Sequence, residues 1–144
     1  MAQTPPEGCQ RILPYLSYAN APAAIDFLCS AFGFEESFRY PMPDGKVGHA
    51  ELSYEGNKVM LASTFEGFGE SPLKLSGVHT FVFCWVDDVD AHFARAREAG
   101  ATIVTEPENE HGQRMYRAMD VEGHRWIFST MLDQSDGSSA EASS

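Results

Sequence analysis

Two stretches of the chain carry polar side chains at strand spacing. One is HAELSYEGNKVML, residues 49–61; the other is RMYRAMDVEGHRWIF, residues 114–128. Residues two apart on a β-strand share a face. His49 and Glu51, so placed, can serve as a general base and the carboxylate that orients it. With His79 they also make a three-donor set for a divalent ion, since imidazole and carboxylate both ligate such metals. Arg114 and Tyr116, again two apart, offer a cation and a phenol, and Trp85 offers an aromatic surface. Each has a plainer reading. A strand histidine is commonly a hydrogen-bonded structural residue, and Glu51 can simply satisfy a neighbouring Tyr or Arg.

Which of these groups share a face depends on the turns. Both stretches read as hairpins around Glu-Gly: Glu55-Gly56 and Glu122-Gly123. A two-residue loop at Glu55-Gly56 opposes Tyr54 to Asn57, Ser53 to Lys58, Glu51 to Met60 and His49 to Ala62. Directly opposed residues share a face, so His49, Glu51 and Met60 go together. The same count pairs Ala118 with Ile127 and Tyr116 with Ser129, placing Tyr116 and Arg114 beside Ile127. A three-residue loop at Val121-Glu122-Gly123 would turn these side chains to the other face.

The surrounding elements repeat. RILPYLSY (11–18) reads as a strand. NAPAAIDFLCSAFG (20–33) reads as a helix with Asn20 as N-cap, Pro22 in its first turn and Gly33 past its end. Residues 35–40 form a strand, and 47–54 with 58–63 form the first hairpin. In the second half VHTFVFCWV (78–86) is a strand on which His79, Phe81, Phe83 and Trp85 alternate to one side. DDVDAHFARAREAG (87–100) is a helix capped by Asp87 or Asp88, with Val89, Phe93 and Ala96 buried. Residues 101–106 are a strand, 107–113 a loop and 114–131 the second hairpin. Trp126 and Phe128 are placed under a helix, and His92 and His111 in solvent. The organisation is thus 1–10 flexible N-terminus, 11–63 first module, 64–77 connector, 78–132 second module and 133–144 disordered tail. Each module is strand, helix and three strands, and neither can cover its sheet alone. The class is α+β: two tandem βαβββ modules forming a curved mixed sheet around a cavity, where a small molecule would bind. In the connector, EGFGE (66–70) lacks the Lys-Ser/Thr of a phosphate loop and reads rather as a flap.

The 144 residues are 43% hydrophobic and 12% aromatic, which suits a folded domain of this size. The net charge of −11 disfavours nucleic acid as a partner. No apolar run is long enough to span a membrane, and the N-terminus lacks the pattern of a signal peptide, so the expected location is cytoplasmic. Cys9, Cys29 and Cys84 have no metal-type spacing and read as reduced thiols.

ILPYLSYANAPAAIDFLCSAFGFE, GHAELSYEGNKVMLAS, VDDVDAHFARAREAGA and RMYRAMDVEGHRWIF resemble the vicinal oxygen chelate superfamily. It comprises glyoxalase, bleomycin-resistance and extradiol dioxygenase proteins, and the nearest likeness is to its glyoxalase-like, PhnB-like members. The resemblance spans Arg11 to Met131. The family's Asp-Pro-Asp/Glu-Gly turn stands here as Asp120-Val121-Glu122-Gly123, with Val in place of Pro.

The resemblance implies a homodimer and, in the metalloenzymes of the family, one divalent ion held by residues of the first and last strands of each module. Matched strand by strand, those positions are Pro14, Met60, His79 and Ile127. Only His79 is a ligand type, so the resemblance implies no usual metal site and no cofactor by the usual route; a divalent ion on His49, Glu51 and His79 stays open. The family pattern turns Met60 inward, and with it His49 and Glu51. The candidate ligand-binding residues are therefore His49, Glu51, His79, Trp85, Arg114 and Tyr116. The implied function is small-molecule binding of the drug-sequestering, bleomycin-resistance type. The alternative is a lyase, isomerase or dioxygenase with a non-standard metal or acid/base site. A third reading is a vestigial pocket on a protein that works through its dimer surface.

Overall fold

A computed structural model describes residues 5, 7–67 and 69–133. Part of the expected flexible N-terminus, Phe68 of the expected flap, and residues 134–144 of the expected tail lie outside the described residues.

The first module runs β1 (Tyr15–Tyr18), α1 (Ala21–Phe32), β2 (Glu35–Pro41), β3 (Val47–Tyr54) and β4 (Asn57–Ser63). The second runs β5 (Phe81–Trp85), α2 (Val89–Glu98), β6 (Thr102–Glu110), β7 (Gln113–Met119) and β8 (Arg125–Met131). Each module builds its own four-stranded sheet, ordered β1-β4-β3-β2 and β5-β8-β7-β6, with the first strand parallel to the last. This is the predicted α+β pair of βαβββ units.

The local chemistry explains the boundaries. Asn20 caps α1 by accepting the Ala23 amide at 3.2 Å. Gly33 closes that helix at φ +83°, a left-handed conformation that costs glycine little. Of the two candidates, Asp88 is the cap of α2, accepting the Ala91 amide at 3.1 Å. Three boundaries differ most from expectation, the first being the strand placed at 11–18, which begins at Tyr15. The strand placed at 78–86 is shorter, beginning at Phe81. The loop placed from 107 is strand as far as Glu110. Pro107 is tolerated because β6 is the outer strand of its sheet and its pairing slips between Thr105 and Glu108, so a missing amide donor breaks no ladder.

One hydrophobic core serves both sheets. Phe32, at the end of α1, has its ring 5.4 Å from that of Trp126 and 4.7 Å from that of Phe128, both on β8. Phe34 also meets Trp126, and α1 packs on α2. The modules therefore join through their helix-bearing sides, and the other face of each sheet looks outward. In place of one curved sheet around a hollow there are two four-stranded sheets, each with one face left exposed.

Two buried carboxylates fasten this arrangement. Asp120 accepts the Tyr18 hydroxyl at 2.5 Å and the Trp126 indole N–H at 3.0 Å. Glu122 accepts the amides of Ala19 and Asn20 at 2.6 and 2.7 Å and the hydroxyl of Ser71.

Candidate functional site

The open face of the first sheet is built from alternate residues of its four strands. The β3–β4 register is the predicted one: Tyr54 opposes Asn57, Ser53 opposes Lys58 and Glu51 opposes Met60. It holds because Glu55 and Gly56 both take positive φ, +47° and +84°, the geometry of a two-residue hairpin turn. Ala50, Leu52 and Leu61 go to the core, which leaves His49, Glu51 and Met60 on the open side. Tyr15 of β1 lies beside Met60, and Tyr40 of β2 beside His49.

Four of these side chains form a hydrogen-bonded chain. The Tyr15 hydroxyl is 2.8 Å from His49 Nδ1, and His49 Nε2 is 3.0 Å from Glu51 Oε2. Lys58 Nζ donates to Glu51 Oε1 at 3.1 Å. The hydrogen bond from His49, and next that from Lys58, hold the Glu51 carboxyl below its usual range. Burial, and next the Glu51 charge, push the Tyr15 phenol up. With Glu51 ionised, the carboxylate can only accept, so His49 Nε2–H donates to it.

The second hairpin overturns the predicted register. Its loop spans five residues, closing on Met119 opposite Arg125, so Tyr116 opposes Phe128 and Arg117 opposes Ile127. Asp120 causes the difference: its Oδ1 accepts the amides of Glu122 and His124, both at 3.1 Å, which wraps the loop around the carboxylate. Tyr116 therefore faces the core, fully buried, with its hydroxyl 2.7 Å from His92 Nδ1. Arg114 faces α2, where it pairs with Asp90 at 3.0 Å. On the open face their places are taken by Met115 and Arg117, flanking Ile127.

His79 is exposed and precedes β5. The residue beside Ile127 is Phe83, just as Tyr15 is the residue beside Met60. Of the four positions that the resemblance implies, Pro14 and His79 precede β1 and β5, while Met60 and Ile127 lie beside Tyr15 and Phe83. Met60, Ile127 and Phe83 are not ligands of a divalent ion and Tyr15 is a phenol, so the set does not fit one. Among the described residues no group of three His, Cys, Asp or Glu is placed to hold a metal; His49 and Glu51 are together, His79 is not with them.

Trp85 lies on the open side of β5, half-exposed, with its ring edge-on to Phe83 at 4.9 Å. Phe81 completes the row under the Arg125 guanidinium, 5.8 Å above its ring. Where the modules meet, Pro14, Tyr54 and Val59 face Val82, Cys84 and Trp85 across a cleft of about 250 Å³. Burial pushes the Cys84 thiol up to about 11. The connector touches the first open face at one end: a Cβ on Gly69 would collide with Ser17 Oγ.

Sequence reasoning passed over Tyr15, although it sits one residue from the family position at Pro14. It also placed His92 in solvent. His92 is buried, with Nε2 2.9 Å from the Phe32 carbonyl oxygen, and burial, as the main cause, lowers its pKa. Its place on the Val89–Ala96 stripe of α2 was the available signal.

Residues 11–128 match the model of the Glyoxalase/Bleomycin resistance protein/Dioxygenase superfamily. An uncharacterised protein of Mycobacterium bovis is 41% identical over 118 residues, 78% of this chain and 78% of that protein. The crystal structure of TioX from Micromonospora sp. ML1 superposes with a TM-score of 0.70 at 37% identity, covering 86% of this chain and all of that one. A glyoxalase/bleomycin resistance protein/dioxygenase from Nocardioides superposes with a TM-score of 0.63 at 19% identity, over 87% of this chain and 86% of its own. Among the described residues no helix is long and apolar enough to cross a membrane.

Proposed function

The chain belongs to the Glyoxalase/Bleomycin resistance protein/Dioxygenase superfamily, and we propose that within it the protein is a metal-independent binder of planar aromatic small molecules, of the sequestering type. The carrying observation is that Met60 and Ile127, two of the positions from which the resemblance would draw metal ligands, lie beside Tyr15 and Phe83, so that aromatic and apolar groups meet there. Aromatic rows continue from both places: Phe38 and Tyr40 on one sheet, Phe81 and Trp85 on the other, each close to half exposed. Stacked and edge-on ring contacts suit a flat, π-rich guest.

Each face is half a pocket. Exposed apolar patches of this kind mark binding or association surfaces. The proposed assembly is a homodimer in which the polar first face of one copy stands opposite the aromatic second face of its partner, enclosing two equivalent sites. Such a dimer covers rows that a lone chain leaves in water. Of the six residues singled out from the sequence, this reading keeps His49, Glu51 and Trp85 at the site.

The test is a fluorescence titration against a panel of planar fused-ring compounds that includes 7-methoxycoumarin, before and after treatment with a chelator. Saturable binding that survives the chelator and weakens in Phe83→Ala and Trp85→Ala is expected. Binding abolished by the chelator, or no saturable binding across the panel, overturns the reading. A second reading, a lyase, isomerase or dioxygenase of the same scaffold, draws on one observation, the chain from Tyr15 through His49 to Glu51. Turnover of a panel compound by the wild type and not by His49→Gln would establish it.

A further inference from the structure

We infer that Arg117 and Arg125 form an anion anchor on the open face of the second sheet, so that the guest is a planar aromatic molecule carrying a carboxylate beside its ring. This rests on the binding reading above and adds to it the chemical class of the guest.

The register places the two cations together. Arg117 of β7 opposes Ile127 of β8, and Arg125 stands two residues before Ile127 on the same strand. The three share the open face, with the two arginines on a diagonal, about 7–8 Å apart by strand geometry. From the other side Phe81 opposes Arg125 and Phe83 opposes Ile127. Ile127 is thus an apolar floor framed by two cations and an aromatic ring.

The charge of these arginines is not spent inside the protein. Arg114, on the opposite face of β7, shows the contrast: its guanidinium donates to Asp90 and Asn109 at 3.0 to 3.2 Å. Among the described residues the Arg125 guanidinium makes no ion pair and no hydrogen bond. It rests over the Phe81 ring, 5.8 Å from its centre. Arg117 is little better served. It donates to Thr105 Oγ1 at 3.5 Å, and its Nη2 stands 3.7 Å from Glu110 Oε2, an oxygen that has no hydrogen-bond partner. A well-made guanidinium–carboxylate bond is about 2.7–2.9 Å long. Like charges facing each other on a sheet repel, and an anion seated between them removes that repulsion.

A carboxylate suits the seat, because its two oxygens match the planar fork of a guanidinium. A ring attached to it lies over Ile127 and against Phe83, which is 44% exposed and has Trp85 edge-on beside it at 4.9 Å. The first open face could not take the acid end in the same way. Its cation, Lys58, is already engaged by Glu51 at 3.1 Å, and that carboxylate would repel a second one.

The experiment compares 2-naphthoate with 2-naphthamide, which has the same ring and no charge. Isothermal titration calorimetry at neutral pH measures both on the full-length protein and on its Arg125→Gln, Arg117→Gln and doubly substituted variants. The readout is the ratio of the two dissociation constants, which a general disturbance of the face would leave unchanged. The wild type is expected to favour the naphthoate about tenfold, each single variant about threefold, and the double variant not at all. Equal binding of the two probes by the wild type overturns the anchor and leaves the binding reading standing; the two cations are then met within the protein or by a second copy of it. A preference undiminished in the double variant also overturns the anchor, assigning the effect to a cation elsewhere. Neither probe bound brings down the binding reading, and the anchor with it.

Discussion

Asp120 accepts the hydroxyl of Tyr18, 102 residues earlier in the chain, and so ties the β7–β8 loop of the second module to the end of β1 in the first. Its neighbour Glu122 completes the clasp on the backbone of Ala19 and Asn20. The family's signature turn is thus the bolt between two halves that share a core. Because Glu122 is buried on three donors, removing it leaves two amides and a hydroxyl without an acceptor. Glu122→Ala is expected to cost about 3 kcal/mol, buried unsatisfied groups costing roughly 1–3 kcal/mol apiece with partial relaxation. Urea unfolding followed by tryptophan fluorescence measures it, and an unchanged midpoint would remove the clasp from the account.

His92 supplies a pH dependence. Its folded pKa lies below the ordinary value of 6.5, mainly through burial, so between the two values the unfolded chain binds more protons. Its contribution to stability is then fully present above about pH 6.5 and is lost as the pH falls toward and through the folded value. The melting temperature of the wild type should drop between pH 7 and pH 5 by more than that of His92→Gln, which is less stable at pH 7 but cannot titrate. Parallel curves would exclude His92 as the source.

The two hairpins show how much was legible. Both carry Glu-Gly in the same setting, and pattern counting treats them alike. In the first, the dipeptide is the whole turn, with both residues at positive φ, and the expected pairings from Tyr54–Asn57 to Glu51–Met60 follow. In the second, a side chain intervenes: Asp120 takes the amides of Glu122 and His124, the loop grows to five residues and the register moves by one. The alternation thus transferred Arg114 and Tyr116 to the wrong face, while His49 and Glu51 were placed correctly. The cap at Asn20, and that of α2 to within the pair Asp87 and Asp88, were readable because capping is local. The burial of His92 was not, since its partners, Tyr116 and the Phe32 carbonyl, lie 24 and 60 residues away.

The corrected register separates neighbouring residues by consequence. Tyr116→Phe removes the hydroxyl that satisfies His92 in the core and should cost about 1–2 kcal/mol, with binding of 7-methoxycoumarin unaffected. Arg117→Ala, one position on, lies on the open face, where Arg117 pairs with Glu110 at 3.7 Å, and should weaken the probe at a stability cost of about 1 kcal/mol or less. The opposite pattern in paired unfolding and binding measurements would restore the register counted from a two-residue loop.

The proposed pairing of open faces predicts a dimer that a single charge can break. Phe83 is 44% exposed and stands beside Ile127 on the second face. Phe83→Glu places a carboxylate on an apolar surface that the partner would cover, whereas in a lone chain that carboxylate stays hydrated at little cost. Sedimentation equilibrium should show the wild type at twice the chain mass of 15.9 kDa and the variant at the chain mass. A wild type that is monomeric at all concentrations would leave each face as an open platform and remove the enclosed pocket.

Two of the three thiols, Cys9 and Cys84, should react at rates set by burial. Cys9 is exposed, whereas Cys84 is half-buried beside the cleft with its thiol pushed up to about 11. The thiolate is the nucleophile, so at pH 8 only about one Cys84 in a thousand is in the reactive form. A disulfide-exchange reagent should therefore label Cys9 in a fast phase and Cys84 at least a hundredfold more slowly, the two sites being assigned with Cys9→Ser and Cys84→Ser. A planar guest that reaches the inter-module cleft would slow the Cys84 phase further and leave the Cys9 phase alone, whereas one confined to the open faces would change neither. Equal rates at the two cysteines in the folded protein would mean that the cleft opens to reagent and that the walls around Cys84 do not hold in solution.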